Sequence, residues 1–326
     1  IGAGASGLSA ALTAAKSGAK IILADEDFLM GGRLNNETNK IDGVLGSKWA
    51  ADIVTKLSEM QNVTLMADTT IFGVYDHGIY GALENKSSEA RENNDKPRQV
   101  NWRIYAKRAI LATGAIERAI AFGNNDRPGI MMASAVRTYV NRFAVTPGQN
   151  ITVFTNNDDG WQTARDLLLK NIKVAAVIDS RPIKPVLRIA GAEIFMGVDV
   201  IDTKGRRGLK SIKLSNGKTI ETDTLAVSGG WNPNLHLTCH HRGIPKWNEE
   251  IASFIPDESV PPGMIVAGRA KGTMVLADAI IEAHNMGSLV AKELGFKAAK
   301  LAHASTPEVA YNVSAHWGVE SGSKRA

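Results

Sequence analysis

Gly2-Ala3-Gly4-Ala5-Ser6-Gly7 stands at the head of an alanine-rich run, Leu8 to Ser17, that stops at Gly18. The spacing is G-x-G-x-x-G, and in a dinucleotide-binding turn each glycine has separate work. Gly2 permits the tight turn, Gly4 lets a pyrophosphate approach the backbone, and Gly7 lets the following helix pack close to the preceding strand. The helix start then offers free N–H groups and the positive end of its dipole to phosphate. Gly18 reads as the residue just beyond the helix end, where a left-handed conformation carries no Cβ penalty.

A glycine fingerprint alone is weak, because Gly-rich turns before helices have many causes. The next segment completes this one. Ala19-Lys20-Ile21-Ile22-Leu23-Ala24 is a short apolar run ending in Asp25 and Glu26, about twenty residues past the glycines, where a carboxylate accepts ribose hydroxyls. An acid there also repels a 2′-phosphate, which disfavours NADP. Gly31-Gly32-Arg33-Leu34 follows with flexible backbone and a cation. Arg33 is either an ordinary surface charge or, after Gly-Gly, a pyrophosphate contact at Gly32 and Arg33. Asn62 to Met66 and Thr70 to Tyr75 read as strands, with Ile71 placed to offer its backbone to an adenine. Ala109 to Ala115 is a buried strand ending in the small-residue turn at Thr113 and Gly114, where chains of this type return to the cofactor.

Composition narrows the class. Of 326 residues, 44% are hydrophobic and 22% charged, as in soluble globular proteins, and the length allows two domains. No run approaches the roughly eighteen apolar residues of a membrane span, and nothing has the form of a signal peptide. A cytoplasmic location with no membrane partner follows by default. The single cysteine, Cys239, excludes an internal disulfide and a C-x-x-C redox pair within this sequence. Much of the net charge of +5 lies between Lys204 and Lys218, without interleaved aromatics. It reads as a solvated hairpin turning at Asn216-Gly217, and direct nucleic-acid recognition is not expected. Only Ile1 precedes the first glycine, where such a domain has about four or five residues of buried strand. Ser321 to Ala326 has linker composition. The sequence is therefore expected to be part of a longer chain.

Longer blocks are more specific than the fingerprint. Ile110-Leu111-Ala112-Thr113-Gly114-Ala115-Ile116-Glu117-Arg118, Asn124-Asn125-Asp126-Arg127-Pro128-Gly129-Ile130-Met131, Ser134 to Arg142, Val153 to Asp158, and Leu225 to Pro233 span nearly the whole sequence. In them the chain resembles the alpha subunit of heterotetrameric sarcosine oxidase. Subunits of hydrogen cyanide synthase, opine oxidase and dye-linked proline dehydrogenase share the framework and match less closely. The resemblance implies an α/β fold: a Rossmann-like FAD/NAD(P)-binding domain of the pyridine nucleotide-disulfide oxidoreductase type, with an inserted second, degenerate nucleotide-binding-like unit. It implies NAD in the first site, with FAD as the alternative there. The contacts carried over are Ser6, Asp25, Glu26, Arg33 and Ile71, with Gly268 to Thr273 closing over the ligand. It further implies oxidative demethylation of sarcosine to glycine by the whole complex, with hydrogen peroxide formed and the one-carbon unit passed to tetrahydrofolate. FMN and FAD belong to a flavin-bearing beta subunit and its boundary with alpha, smaller subunits complete the hetero-oligomer, and the folate-binding region lies beyond this sequence. The alternative is an FAD-binding subunit of a related enzyme for opines, proline or glycine.

Departures from the pattern restrict the chemistry. A second Rossmann-like unit is expected from Ile151, but its turn reads Asn156-Asn157-Asp158-Asp159-Gly160, with acids where a pyrophosphate would lie. The helix is expected after Trp161 and the next strand at Val174 to Asp179, Asp179 standing at the ribose place. Flavoproteins of this type carry an acid after the last strand, facing the ribityl chain; here Arg269 stands there, and arginine accepts no hydrogen bonds. That favours NAD, held without turnover, and no catalytic residue is expected in the chain. The domain boundaries read as 1–145 for the first part, with a hairpin insertion at about 68–108, 146–255 for the inserted unit, 256–300 for the return, and 301–326 as linker. His236, Cys239, His240 and His241 form a metal-like cluster that lacks a fourth partner, so no metal is expected. Glu84 to Arg98 reads as a solvated hairpin connection or an insertion, and Trp231 as either a ligand contact or a packing residue.

Overall fold

Small side chains let helix α1 (Ala5–Lys16) bury itself on nearly every face, and it ends at Gly18 with φ +100°. The computed structural model describes residues 1–86, 97–182, 189–297, 303–307 and 311–320. After α1 the chain returns in β1 (Ile21–Ala24), passes a short hairpin of β2 (Lys40–Ile41) and β3 (Val44–Leu45), and enters α2 (Gly46–Ser58). The α2 residues Ala50, Ile53 and Leu57 are buried at helical spacing. Next, β4 (Val63–Met66) pairs parallel with β1, Ile21 opposite Val63. An antiparallel meander of β5 (Thr69–Tyr75), β6 (Ile79–Asn85) and β7 (Gln99–Tyr105) follows, in the place read as a hairpin insertion. Of the Glu84 to Arg98 stretch, residues 87–96 lie outside the described residues.

β8 (Ala109–Leu111) then returns beside α1. Residues 1 and 2 bridge β1 and β8: the Ile1 amine donates to Ile110 O at 2.8 Å, Ala112 N–H to Ile1 O at 2.8 Å, and Gly2 N–H to Ala24 O at 2.8 Å. A cavity of about 590 Å³ continues from Ile1 between the two strands, walled by Ala10, Ala14, Leu23, Ile110 and Leu294.

β9 (Ala115–Glu117) leads out of this layer into the second unit: β10 (Ile130–Met132), α3 (Ala133–Arg142), β11 (Ile151–Thr155), α4 (Asp158–Leu169), β12 (Val174–Asp179) and β13 (Glu193–Met196). An antiparallel set of β14 (Val200–Lys204), β15 (Ser211–Leu214) and β16 (Thr219–Glu221) precedes β17 (Thr224–Ser228). The parallel sheet runs β10-β17-β11-β12-β13, and its central strands β17, β11 and β12 are almost wholly buried because both faces are covered. Val153, Phe154, Ile178 and Leu225 are fully enclosed. Between β15 and β16 the turn falls at Asn216-Gly217, Gly217 at φ +85°, as the sequence suggests. The chain goes back through β18 (Trp231–Pro233), antiparallel to β9, then β19 (Lys246–Asn248), β20 (Ser253–Ile255) and β21 (Met264–Val266), parallel to β8. Helix α5 (Leu276–Glu293) closes the first unit against α1.

Three sequence-based boundaries move. β10 and α3 lie inside 1–145 yet belong to the second unit, because Ile130 to Met132 finds its parallel partner in β17. The sheet of that unit ends at β17, so 229–255 already belongs to the return. Helix α4 begins at Asp158, not after Trp161, because Asn157 caps it by accepting the Asp159 N–H. The stretch read as linker also packs: Asp42 and Ser305 exchange hydrogen bonds of 2.8 Å, and residues 311–319 lie along the second unit. Residues 321–326 lie outside the described residues. No helix among the described residues is long and apolar enough to cross a membrane.

The α1–α5 contact depends on Gly287, where a Cβ would lie 2.5 Å from Ala10 O. Gly287→Ala is expected to lower stability by about 1–3 kcal/mol, the range for overpacked interiors. An unchanged midpoint in chemical denaturation would show that the two helices separate freely.

Candidate functional site

Bare backbone defines the centre of the site. Gly2 has φ +89°, and a Cβ on it would lie 2.5 Å from Ala112 O; one on Gly7 would lie 1.8 Å from Gly2 O. Neither position admits a side chain. Nothing lies within 4 Å of where a Gly4 Cβ would stand, so this backbone opens onto a cavity of about 510 Å³. Helix α1 starts here with no side-chain cap, which leaves its first-turn N–H groups available to an anion. The Gly31-Gly32 turn lies against it, a Gly32 Cβ reaching 3.0 Å from Gly4 Cα. Open backbone, helix dipole and room together fit a pyrophosphate.

At one end of the cavity three acids follow one another, in three different states. Asp25 is committed to the turn: its carboxylate accepts from Ala3 N–H at 2.5 Å and from Asp27 N–H at 2.9 Å. Asp27 is locked to Arg142 by two bonds of 2.6 and 2.8 Å, a pairing that holds its pKa below the usual carboxylate value. Glu26 is exposed, lines the cavity, and has no side-chain partner among the described residues. Ile71, Thr70 and Phe72 form the wall beyond it.

The other end is ionic. Arg33 Nη2 lies 2.9 Å from Asp159 Oδ2 and also pairs with Glu37. Arg269 Nη1 is 3.5 Å from the same Asp159 oxygen, and Arg137 Nη1 is 3.7 Å from its other one. Burial pushes Asp159 up, but Arg33 and Arg137 together hold it below the ordinary carboxylate range. Trp231, 4% exposed, lies beneath both pocket arginines, Arg33 at 3.8 Å and Arg269 at 5.4 Å from its ring centre. Its role here is packing. Nearby, the Glu117 carboxyl is enclosed; desolvation pushes its pKa up to about 7 against hydrogen bonds from Ser134 and Ser228, and the Asp159 charge adds to the rise.

The corresponding place in the second unit is filled by the chain itself. Ligands of open α/β sheets lie beyond the carboxyl ends of the strands, and there residues 311–319 run as a strap. Asp158 N–H donates to Asn312 O at 3.1 Å and Ser314 N–H to Asn156 O at 3.0 Å. The Asn156 amide donates to Ser314 O and His316 O, and Trp317 Nε1 to Gly229 O at 2.9 Å. Arg181 joins Asp158 to Asn312 O. Asp179, fully buried, accepts from Trp161 Nε1 at 2.7 Å and from Arg181, so it has no face left for a ribose.

Of the residues read from sequence, Gly2, Gly4, Ser6, Asp25, Glu26 and Gly32 line the one cavity, as do Arg33, Ile71, Thr113, Gly114 and Arg269. Gly7, Gly268 and Thr273 stand behind it. A Gly268 Cβ would lie 2.1 Å from Ser6 Oγ, and Thr273 Oγ1 donates to Glu282 at 2.9 Å. Sequence reading missed Glu37, Arg137 and the attractive role of Asp159, since nothing in the spacing joins residues so far apart. It also missed the part of the cavity lining made by Asn234, His236, Leu237 and His240. The histidines drew notice only as a metal-like cluster; among the described residues no three such side chains gather round one point. His284, on α5, meets Thr13 Oγ1 at 2.7 Å.

Comparison with known proteins agrees with this geometry. Residues 1–145 match the family model described as pyridine nucleotide-disulphide oxidoreductase. The chain is 42% identical over 299 residues to the sarcosine oxidase alpha subunit of Rhizobium meliloti (strain 1021), covering 90% of this chain and 30% of that protein. It is 34% identical over 315 residues to that of Corynebacterium sp. (strain P-1), covering 91% of this chain and 32% of that one. It thus spans under a third of the length of these curated relatives. Among solved structures, L-proline dehydrogenase from P. horikoshii shares the fold with a TM-score of 0.72 at 22% identity, over 95% of this chain and 60% of that one.

Two outcomes test the ionic end. Asp159→Asn leaves three arginines facing a neutral group and is expected to cost about 3–5 kcal/mol, the range for a buried pair that loses one partner; a loss under about 1 kcal/mol in urea denaturation would make the cluster incidental. Glu117 keeps its proton to about pH 7 when folded, against an ordinary 4.5. The contribution of this carboxyl to stability is therefore full below pH 4.5 and is lost as pH rises toward 7. Glu117→Gln is expected to flatten that fall, read as denaturation midpoints at pH 5 and pH 8.

Proposed function

We propose that this chain, which matches sarcosine oxidase alpha subunits over nine-tenths of its length and carries a pyridine nucleotide-disulphide oxidoreductase domain across residues 1–145, holds one NAD molecule. The observation that carries this reading is the pairing of bare Gly4 backbone at a helix start with the unengaged carboxylate of Glu26 in one cavity. The first suits a pyrophosphate, the second a ribose without a 2′-phosphate. Arg269 beyond β21 supports NAD over FAD, because a guanidinium accepts nothing from a ribityl chain. Gly2, Gly4, Ser6, Gly32 and Arg33 hold the pyrophosphate side, Glu26 the ribose, Ile71 the adenine, and Thr113, Gly114 and Arg269 the far end. Asp25, Gly7, Gly268 and Thr273 keep the turns in place behind these contacts.

Bound here, NAD supplies binding free energy to the folded state. The chain's own residues do the rest. Asp25 fixes the turn, the Arg33–Asp159–Arg269 cluster closes the inner end, and the strap occupies the second unit. With one cysteine and that second place filled, hydride passage from a pyridine nucleotide through flavin to a disulfide has no route within this chain. The activity belongs to the whole assembly: sarcosine is oxidatively demethylated to glycine on flavin held by a beta subunit and at its boundary with this one. Hydrogen peroxide is formed there, and the one-carbon unit passes to tetrahydrofolate.

The cofactor released on denaturing the purified protein tests the reading. A colourless protein that releases NAD is expected; a yellow one that releases FAD overturns it in favour of the flavin-binding alternative. The complete complex is expected to consume oxygen with sarcosine. Glu26→Ala is expected to weaken NAD binding at least tenfold with little change in melting, whereas Asp25→Ala strands the Ala3 N–H and lowers stability by about 1–3 kcal/mol. Equal loss of NAD affinity with unchanged stability in both variants would overturn the structural role of Asp25 and make it a ligand contact beside Glu26.

A further inference from the structure

We propose that His236 and His240 are ligand contacts of the first site, supplied by the segment that returns from the second unit. The inference rests on the dinucleotide reading above and assigns a role to the lining that follows β18. A short 3₁₀ helix, His236–His241, follows β18 and faces the cavity; both histidines are exposed and line it. The segment is latched where the ligand would lie. Thr113 Oγ1 donates to Asn234 O at 3.0 Å, and Asn234 N–H to Gly114 O at 3.0 Å. Thr113 and Gly114 continue directly from Ala112, whose carbonyl touches Gly2. His236 thus lines the same cavity as Gly2 and Gly4, and its Nδ1–H donates to Asn234 Oδ1. Four residues on, roughly 8 Å along a 3₁₀ helix, His240 Nδ1 accepts the Val74 N–H at 3.2 Å. Val74 lies three residues past Ile71 on β5, which puts His240 on the adenosine side.

The chemistry of the two rings follows from these bonds. A neutral imidazole that accepts at Nδ1 carries its proton on Nε2, so His240 has a donor left for the ligand. The glycine turn and helix α1 reach a pyrophosphate from one face only. His236, whose Nδ1–H donates to Asn234 Oδ1, keeps Nε2 as an acceptor and suits a ribose hydroxyl, while the His240 donor suits the phosphate ester on the adenosine side. His241 turns elsewhere, toward Asp76 at 3.9 Å, and serves as the control.

Calorimetric titration of NAD into the full chain, stripped of bound nucleotide, decides the matter. His236→Ala and His240→Ala are each expected to weaken binding at least fivefold and the double variant more, while His236→Gln and His240→Gln, whose amide supplies an acceptor and a donor, recover part of the loss. His241→Ala is expected to bind as the parent does. NAD is also expected to protect His236 and His240, but not His241, from carbethoxylation. A double alanine variant that binds NAD within twofold of the parent overturns this inference and leaves the dinucleotide reading standing. A parent chain that binds no NAD overturns both.

Discussion

One carboxylate, that of Asp159, receives three arginines, and the relation of the two units depends on it. Arg33 comes from the turn after β1, Arg269 from the turn after β21, and Arg137 from helix α3. Removing so many charges from water is costly, and each is tolerable only because the others are present. The set is balanced: Arg33, Arg137 and Arg269 stand against Glu37, Asp159 and Asp166, the last held by Arg137 at 2.9 Å. The first turn of α4 adds its own positive end beneath Asp159. Two first-unit loops are thereby tied to the start of a second-unit helix, and the cavity acquires its closed inner end.

The same physical problem, a helix that starts beyond a parallel strand with unpaired N–H groups, is solved in two ways within this chain. At Gly4 the solution is omission: no cap, no side chain, and space for an external anion. At Asn157 it is internal supply. The Asn157 side chain caps the helix, Asp158 and Asp159 bring the negative charge, and Asn312 meets Asp158 through three bonds. An anion is therefore welcome at the first helix and redundant at the second.

How much of this was legible in the sequence follows from the range of the interactions. The G-x-G-x-x-G turn, the acidic strand end and the apolar strands are local patterns, and the structure brings the residues read from them to one cavity or directly behind it. Choosing between Asp25 and Glu26 was beyond pattern, because it depends on which carboxylate the Ala3 N–H reaches. Asp159 was read only as hostile to a nucleotide; its attraction for Arg33 spans 126 residues and leaves no periodic trace. The boundary near residue 130 was missed because Ile130 to Met132 looks like any short apolar strand; only its partner, β17, assigns it to the second unit. Residues 311–319 looked like linker because a strap bound mainly through backbone needs no apolar periodicity.

The strap has a consequence in terms of competition. A segment tethered to the sheet it covers meets that sheet at an effective concentration of about the millimolar order, set by chain length and independent of dilution. A diffusing nucleotide would have to displace roughly that concentration of a competitor that never leaves, and would find Asp158 and Asp159 beneath it. The second unit thus behaves as a receptor already saturated by a covalently attached ligand, and its occupancy is insensitive to the nucleotide pool around it.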